Sequence, residues 1–570
     1  MLGITGCESA VYAKTKHNSG NIKFRTHNPV REGLEYATKV DELLSRNVLE
    51  IAQNLLTLST KYNTNIKYQV FSPIGIANVL SLLALGAKSN TQEELIKILG
   101  FDKVPNFDAN LLRVHEEFGI LIDNLTKDNK IDEGNLSKVQ RNKRKRSSSL
   151  SKIDPKLSSI PSEYRNLKKY HIFRRSIPSK RSYIPNFNYE NYDNGLQSKF
   201  NDHEIDIANG IFIQSGYQLK SDYENFVKSI YRSNSEIVLL DFENNSEYAR
   251  QYINDWGKRK TNGKIENLIM GDIDTTTNMI ITSALYFRSL WQTSFIESIT
   301  MKRNFYPDGY SSPPVLVDMM ANGGEYLYYD ASEYECRFIG LPFKDSLSIM
   351  YIMIPYDSNK EKLEQLQKLL TSDRIDEIIS KRMRKKMILL NLPRMHLENS
   401  MNLRELFTQM GIKSLFNSRE SDLSGIISSL TSSASSSSSS PSQASIPITE
   451  NAFSNDESII LKGDKSKSKL ELLLKKNSKF YNNHPNSKPL LHSNQPIRNI
   501  GKIVFVDDIV HKVNLKINEQ GIEGAATTVS HLPRNDFDEE FIVNAPFLFL
   551  VRHEKTKLPI FYGSVYDPSI

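Results

Sequence analysis

The chain has 570 residues, beyond the length at which one hydrophobic core normally stops growing, so several domains or one domain with insertions is expected. Its 39% hydrophobic and 24% charged residues are ordinary globular values, and a net charge of +7 gives no argument for nucleic-acid binding. Two cysteines, Cys7 and Cys336, supply no disulfide framework, and without an apolar run of about 18 residues no membrane-spanning helix is expected.

Residues 1–40 read as an N-terminal extension that precedes a single domain over 41–570. At 42–59, Leu43, Leu44, Val48, Ile51, Ala52 and Leu55 fall at helical spacing, and 74–87 form a second, strongly apolar helix. Thr91 and Glu94 ahead of Leu95 predict a capping box that opens a third. A first insertion, basic and Ser-rich, runs from 128 to 195. Short apolar or alternating runs then predict strands at Met279–Phe287, Ser348–Ile354 and Met387–Leu392. A second insertion, 427–500, is Lys-rich and opens on a tract in which twelve of the eighteen residues 428–445 are serine, a composition that cannot offset its own chain entropy by burial. Beyond it, Ile503–Val506, Val513–Ile517 and Phe547–Val551 read as strands. Helices dominate the first part and strands the second without βαβ alternation, which predicts an α+β fold with large antiparallel or mixed sheets.

Catalytic constellations are absent from the pattern. There is no G-x-S-x-G elbow, no C-x-x-C pair and no phosphate-binding G-x-x-x-x-G-K-[ST] loop. His115-Glu116 and His553-Glu554 lack the second histidine one turn on that a zinc site requires, so no metal, no cofactor and no enzyme activity are expected.

The segment FSPIGIANVLSLLALGAKSNTQEELIKILGF (71–101) resembles the second and third helices of the serpin family of serine protease inhibitors. The resemblance continues in family order through IANGIFIQSGY (207–217), INDWGKRKTNGKIENL (253–268), ALYFRSLWQTSF (284–295), LNLPRMHLENSMNLRELFTQMGIKSLF (390–416), SDLSGI (421–426), IVHKVNLKINEQGIEGAATT (509–528) and NAPFLFLVRHEKTKLPIFYGSV (544–565). It implies an α+β domain of three β-sheets and about nine helices with an exposed reactive loop near the C-terminus. On that resemblance a target serine protease would attack the loop, which would then insert as a strand into the main sheet and trap the covalent acyl-enzyme. A non-inhibitory serpin, acting as carrier, chaperone or storage protein, is the alternative that the same resemblance allows.

The resemblance places the loop's hinge at Glu519, Gly521, Ile522, Glu523, Gly524, Ala525, Ala526, Thr527 and Thr528. Because alternate residues of a strand face opposite sides, Ile522, Gly524, Ala526 and Thr528 would share one face, and the charge of Glu523 would fall on the other. No charge would then enter the sheet, as an inhibitor needs. Phe71, Ser72, Pro73 and His511 match the family's sheet-opening region, with Trp291 where the loop first enters; Gly75 stands where a serine is usual and Ser283 where an asparagine is usual. Family spacing puts the reactive bond sixteen residues beyond Glu519, at Asn535. Two bonds therefore stand, Arg534-Asn535 and Asn535-Asp536, and the arginine, suited to the acidic primary pocket of trypsin-like proteases, favours the first.

Lys138, Arg141, Lys143, Arg144, Lys145 and Arg146 follow the helix where glycosaminoglycan-activated serpins hold heparin, so a heparin-like polyanion is a candidate partner, set against a solvated loop. The resemblance favours a secreted, extracellular protein. The start MLGITGCESAVYA, with Glu8 and no basic opening, forms no clear signal peptide, and a cytoplasmic location stays open. Sequons stand at Asn124, Asn135 and Asn244.

Overall fold

The computed structural model describes residues 29–62, 66–105, 111–127, 203–231, 235–344, 347–428, 503–522 and 537–569. The chain divides into two compact units, one of Met1–Ser215, Leu219–Ser428 and Ile503–Ile570, the other of Gly216–Gln218 and Ser429–Lys502. The helices and the two large sheets belong to the first unit. Of the second, only Gly216–Gln218 are described, with a turn at Gly216. The architecture is α+β, with three sheets and nine α-helices among the described residues.

The first six helices in chain order are α1 (Pro29–Tyr62), α2 (Pro73–Gly86), α3 (Ser89–Leu99), α4 (Leu111–Lys127), α5 (Ser221–Ile230) and α6 (Phe242–Lys260). The helix expected over 42–59 thus begins further upstream, at Pro29. Nearly every side chain of α2 is buried, which explains why its sequence is apolar all round. Its start is fixed by Pro73 at the first helical position and by Ser72, whose Oγ accepts the Gly75 amide at 3.3 Å.

The predicted capping box at Thr91 is corrected. Helix α3 starts at Ser89 with Lys88 before it, so Thr91 and Glu94 already lie inside the helix. They reach sideways instead. Thr91 Oγ1 accepts the Asp422 amide (3.0 Å), and Glu94 Oε2 accepts the amides of Lys413 and Ser414 (2.9 Å each). Distant backbone donors, unsatisfied by any helix, competed for those oxygens and won.

The strands of the two large sheets, in chain order, are β1 (Tyr68–Phe71), β2 (His203–Gln214), β3 (Ser235–Leu240), β4 (Met279–Leu290), β5 (Met301–Phe305), β6 (Val315–Ala331), β7 (Cys336–Pro342), β8 (Ser348–Pro355), β9 (Arg384–Pro393), β10 (Met395–Asn402), β11 (Asp508–Ile517), β12 (Gly521–Ile522), β13 (Glu539–Ile542), β14 (Phe547–His553) and β15 (Pro559–Val565). One sheet of nine strands runs β1-β15-β14-β8-β7-β6-β9-β13, with β5 on β6. Its strands β14 and β15 are buried on both faces and read as continuous apolar runs for that reason. The six-stranded sheet runs β10-β11-β12-β4-β2-β3. The strand expected at Ile503–Val506 does not form: Val504 and Val506 are buried, but the segment is an extended lead into β11, held by the Val506 amide on the Leu415 carbonyl at 3.1 Å. Helix α6 covers one face of this sheet, where Ala249, Ile253 and Trp256 pack against Ala208 and Phe212 of β2 and Ile280 and Ala284 of β4.

Candidate functional site

The six-stranded sheet has a seam at its centre. Strands β4 and β11 run parallel and pair directly from Ile280↔Asp508 to Leu285↔Val513. Beyond Leu285 and Val513 the two strands part. Where Ser289 and Ile517 would next face each other, β12 stands between them, with Ile522 opposite Ile517 on one side and Ser289 on the other. The short strand is antiparallel to both neighbours and stands between them as a third strand, one step into the seam.

A tight turn at 518–521 makes this entry. Asn518 Oδ1 accepts the amides of Gln520 (3.0 Å) and Gly521 (3.1 Å), and the Asn518 amide donates to the Gly521 carbonyl at 3.0 Å. Gly521 has no substitute here, because a Cβ would sit 2.1 Å from the Ser289 carbonyl oxygen and 2.7 Å from Leu290 Cα, both backbone atoms. Ile522 is fully buried.

Around the turn lies a collar of aromatic and charged groups. The Trp291 amide donates to the Gln520 carbonyl (2.8 Å), its indole Nε1 to the Asn518 carbonyl (2.9 Å), and its ring stacks on Phe343 at 4.7 Å. The Phe295 amide holds the Glu519 carbonyl at 2.8 Å. Glu519, only 3% exposed, accepts from Thr300 Oγ1 at 2.8 Å and forms an ion pair with Arg394 at Nη2. The Glu519 bond raises the Arg394 pKa further above its ordinary value.

At the closed end of the seam the groups are neutral. The Ser72 amide donates to His511 Nε2 at 3.0 Å, which requires the neutral ring, and Phe71 stacks on it at 6.2 Å. Complete burial pushes the His511 pKa down to about 3, offset only in part by the Ser283 backbone. Ser283 of β4 faces His511 across the seam, and Ser283 Oγ lies where a side chain at 75 would go: a Cβ at Gly75 would meet it at 2.7 Å.

The structure therefore gathers the expected residues into two groups, Ser72, Pro73 and His511 at the closed end and Trp291, Glu519, Gly521 and Ile522 at the open end. Glu523, Gly524, Ala525, Ala526, Thr527, Thr528, Arg534, Asn535 and Asp536 lie outside the described residues, as do Lys138, Arg141, Lys143, Arg144, Lys145 and Arg146. Sequence reasoning missed Arg394, Thr300 and Phe343. A buried glutamate demands a cation, but among 73 lysines and arginines the pattern could not say which.

Known proteins share both the pattern and the fold. The family described as "Serpin (serine protease inhibitor)" matches residues 47–148, 173–485 and 486–568. Serine protease inhibitor 28Dc of Drosophila melanogaster is 33% identical over 530 residues, 93% of this chain and 81% of the relative. Human serpin B4 is 24% identical over 509 residues, 87% of this chain and 93% of its own. Among solved structures, uncleaved ovalbumin (TM-score 0.59, 19% identity) is matched over 92% of this chain and 100% of that one. Thyroxine-binding globulin in complex with thyroxine has the same fold, with a TM-score of 0.59 and 18% identity over 92% of this chain and 99% of that one. With a main sheet entered at one end and shut at the other, and with this agreement along nearly the whole chain, the protein belongs to the serpin family of serine protease inhibitors and is not an enzyme.

Proposed function

We propose that this serpin is a suicide inhibitor of a trypsin-like serine protease, with Arg534 as the residue whose carbonyl is attacked. The observation that carries the reading is Ile522, buried between β4 and β11 with the seam below it closed. A strand continuing from there would replace the β4–β11 pairs over 280–285 and 508–513 and gain an antiparallel ladder on both sides. The small, uncharged face predicted for Gly524, Ala526 and Thr528 supports the same course.

In chemical terms, the protease serine Oγ adds to the Arg534 carbonyl carbon, the peptide bond to Asn535 breaks, and the Asn535 amine leaves with a proton from the protease's own base. The ester left on the protease would travel with the inserting strand. Water then finds a distorted site, and deacylation stalls. The reading extends to a secreted inhibitor whose basic run Lys138–Arg146 engages a sulfated polyanion; faster inhibition in the presence of heparin at low salt supports that extension, and an unchanged rate removes it.

The test mixes the protein with trypsin at equimolar ratio and resolves the products on a denaturing gel. A band at the summed mass is expected, and the mass of the released C-terminal fragment distinguishes a cut after Arg534 from one after Asn535. Clean cleavage without that band, by trypsin and by asparagine-specific and elastase-like proteases alike, overturns the inhibitory reading in favour of a non-inhibitory serpin.

A further inference from the structure

Strand β9 begins on a run of cations: five of the six residues 381–386 are lysine or arginine. Lys381 and Arg382 close a turn of π-helix over Ile378–Arg382, and Arg384, Lys385 and Lys386 open the strand. Nearby carboxylates account for two of the five. Lys385 Nζ pairs with Glu325 at 2.7 Å, and Lys386 Nζ pairs with Glu539 at 3.2 Å while lying 4.8 Å from the centre of the Tyr328 ring. Lys381, Arg382 and Arg384 are exposed, and no carboxylate among the described residues forms an ion pair with any of them. Arg384 Nη1 donates only to the carbonyl of its own neighbour, Met383, at 2.8 Å. The end of a helix favours a cation or two, but Arg384 lies beyond it.

Their place in the fold gives these cations a partner. Strand β13 runs parallel to β9 with Glu539 opposite Ile388, and the contact extends one residue back: the Asp538 amide donates to the Met387 carbonyl at 2.8 Å, and Asp538 Oδ2 accepts the Met387 amide at 2.9 Å. Parallel strands advance together, so the chain that reaches Asp538 comes from the end of β9 at which Arg384 stands. Arg384 lies three residues before Met387, about 10 Å along the strand. Arg534 lies four residues before Asp538, at most about 14 Å away. Both spans are short against the ~30 Å width of even a small domain, so an enzyme whose serine reaches Arg534 stands over or beside the cations.

We propose that Lys381, Arg382 and Arg384 are a second contact for the attacking protease, and that they favour trypsin-like enzymes whose surface beside the active site is acidic. Opposite charges that face one another speed encounter more than they tighten the final contact, so the selection is exercised on the rate of attack. This rests on the reading of Arg534 as the attacked residue. It concerns which enzyme arrives and does not depend on whether the loop then inserts.

The experiment uses an anionic and a cationic trypsin, which share a preference for arginine and differ in surface charge. The second-order rate of attack is measured with each at low salt, counting SDS-stable complex and chain cut after Arg534 together. The unaltered chain is compared with the triple variant Lys381→Gln, Arg382→Gln, Arg384→Gln. A control, Lys258→Gln, Arg259→Gln, Lys260→Gln, removes the same charge from the exposed end of α6, which packs on the other sheet. Anionic trypsin is expected to attack the unaltered chain at least about fivefold faster than cationic trypsin, with the ratio falling as salt rises to about 0.15 M. The β9 variant should lower that ratio at least about threefold with its melting temperature unchanged, and the α6 control should leave the ratio as it is. An unchanged ratio in the β9 variant, or an equal fall in both variants, overturns the proposal. So does a gain in rate with heparin that only the β9 variant loses while its trypsin ratio stays the same, which would assign the cations to a sulfated polyanion. A charge-dependent cut without an SDS-stable band keeps this proposal and removes the inhibitory reading, whereas no cut after Arg534 by either enzyme removes the attacked residue and this proposal with it.

Discussion

The two ends of the same seam are built from opposite materials. At the open end, β12 is held by a glutamate, an arginine, a threonine and a tryptophan, with the charge half in water: the Arg394 side chain is 41% exposed, that of Glu519 4%. At the closed end, a neutral histidine and the Phe71 ring stacked on it are sealed away completely. The difference teaches how one sheet can be both ready and shut. A half-solvated ion pair is a weak tether that holds the hinge without locking it, whereas the closed end is kept together by six paired rows and by a histidine that burial holds neutral.

The largest test of this contrast falls on Ile522. Ile522→Arg puts a guanidinium where the isoleucine is fully buried between two strands, and no carboxylate among the described residues pairs with that position in the seam. An unpaired buried charge costs several kcal/mol, so the hinge should leave the sheet and the inhibitor consumed per protease should rise more than about tenfold. Full yield of the SDS-stable complex from this variant would show that entry at Ile522 is not on the route to inhibition.

The closed end is sharpened by pH. His511 stays neutral in the folded protein down to about pH 3, while in the unfolded chain it takes up a proton below its ordinary value of 6.5. Between those values the unfolded state binds the extra proton, so stability falls as pH falls, by about 1.4 kcal/mol per unit for each such group. His115, buried beside Ser81 and Tyr231 and lowered by burial to about 3, adds a second contribution of the same sign. His511→Gln, which keeps an acceptor for the Ser72 amide, should therefore reduce the loss of melting temperature between pH 6.5 and 5. An unchanged slope would place the acid sensitivity elsewhere.

The smallest effect is expected at the open end. Glu519→Gln keeps the bond from Thr300 and removes the charge that pairs with Arg394. With Arg394 partly in water, the loss should be about 1 kcal/mol, and it should shrink as salt is added to the unaltered protein. A loss insensitive to salt would mean that the hinge is held by hydrogen bonding alone.

The fold class was legible in the sequence because it follows from local pattern. Apolar residues at helical spacing around 42–59 and 74–87, and short buried runs such as 547–551, carry their own period and needed no partner to be read. The hinge was placed by resemblance; of it the structure describes Glu519, Gly521 and Ile522, and Glu523 to Thr528 lie outside the described residues. What a residue binds at a distance was not legible. Thr91 and Glu94 have the spacing of a capping box, yet distant amides at 413–422 claimed them, since a helix already begun at Ser89 left their oxygens available. Arg394 lies 125 positions from Glu519, and Asn209 meets Ser283 across two strands. Sequence determined which segments could become strands and which could carry no charge into a sheet. Only the tertiary structure decided that β12 already stands in the seam and that Arg394 is the cation beneath it, because these depend on which chain segments close over one another and not on the period within any of them.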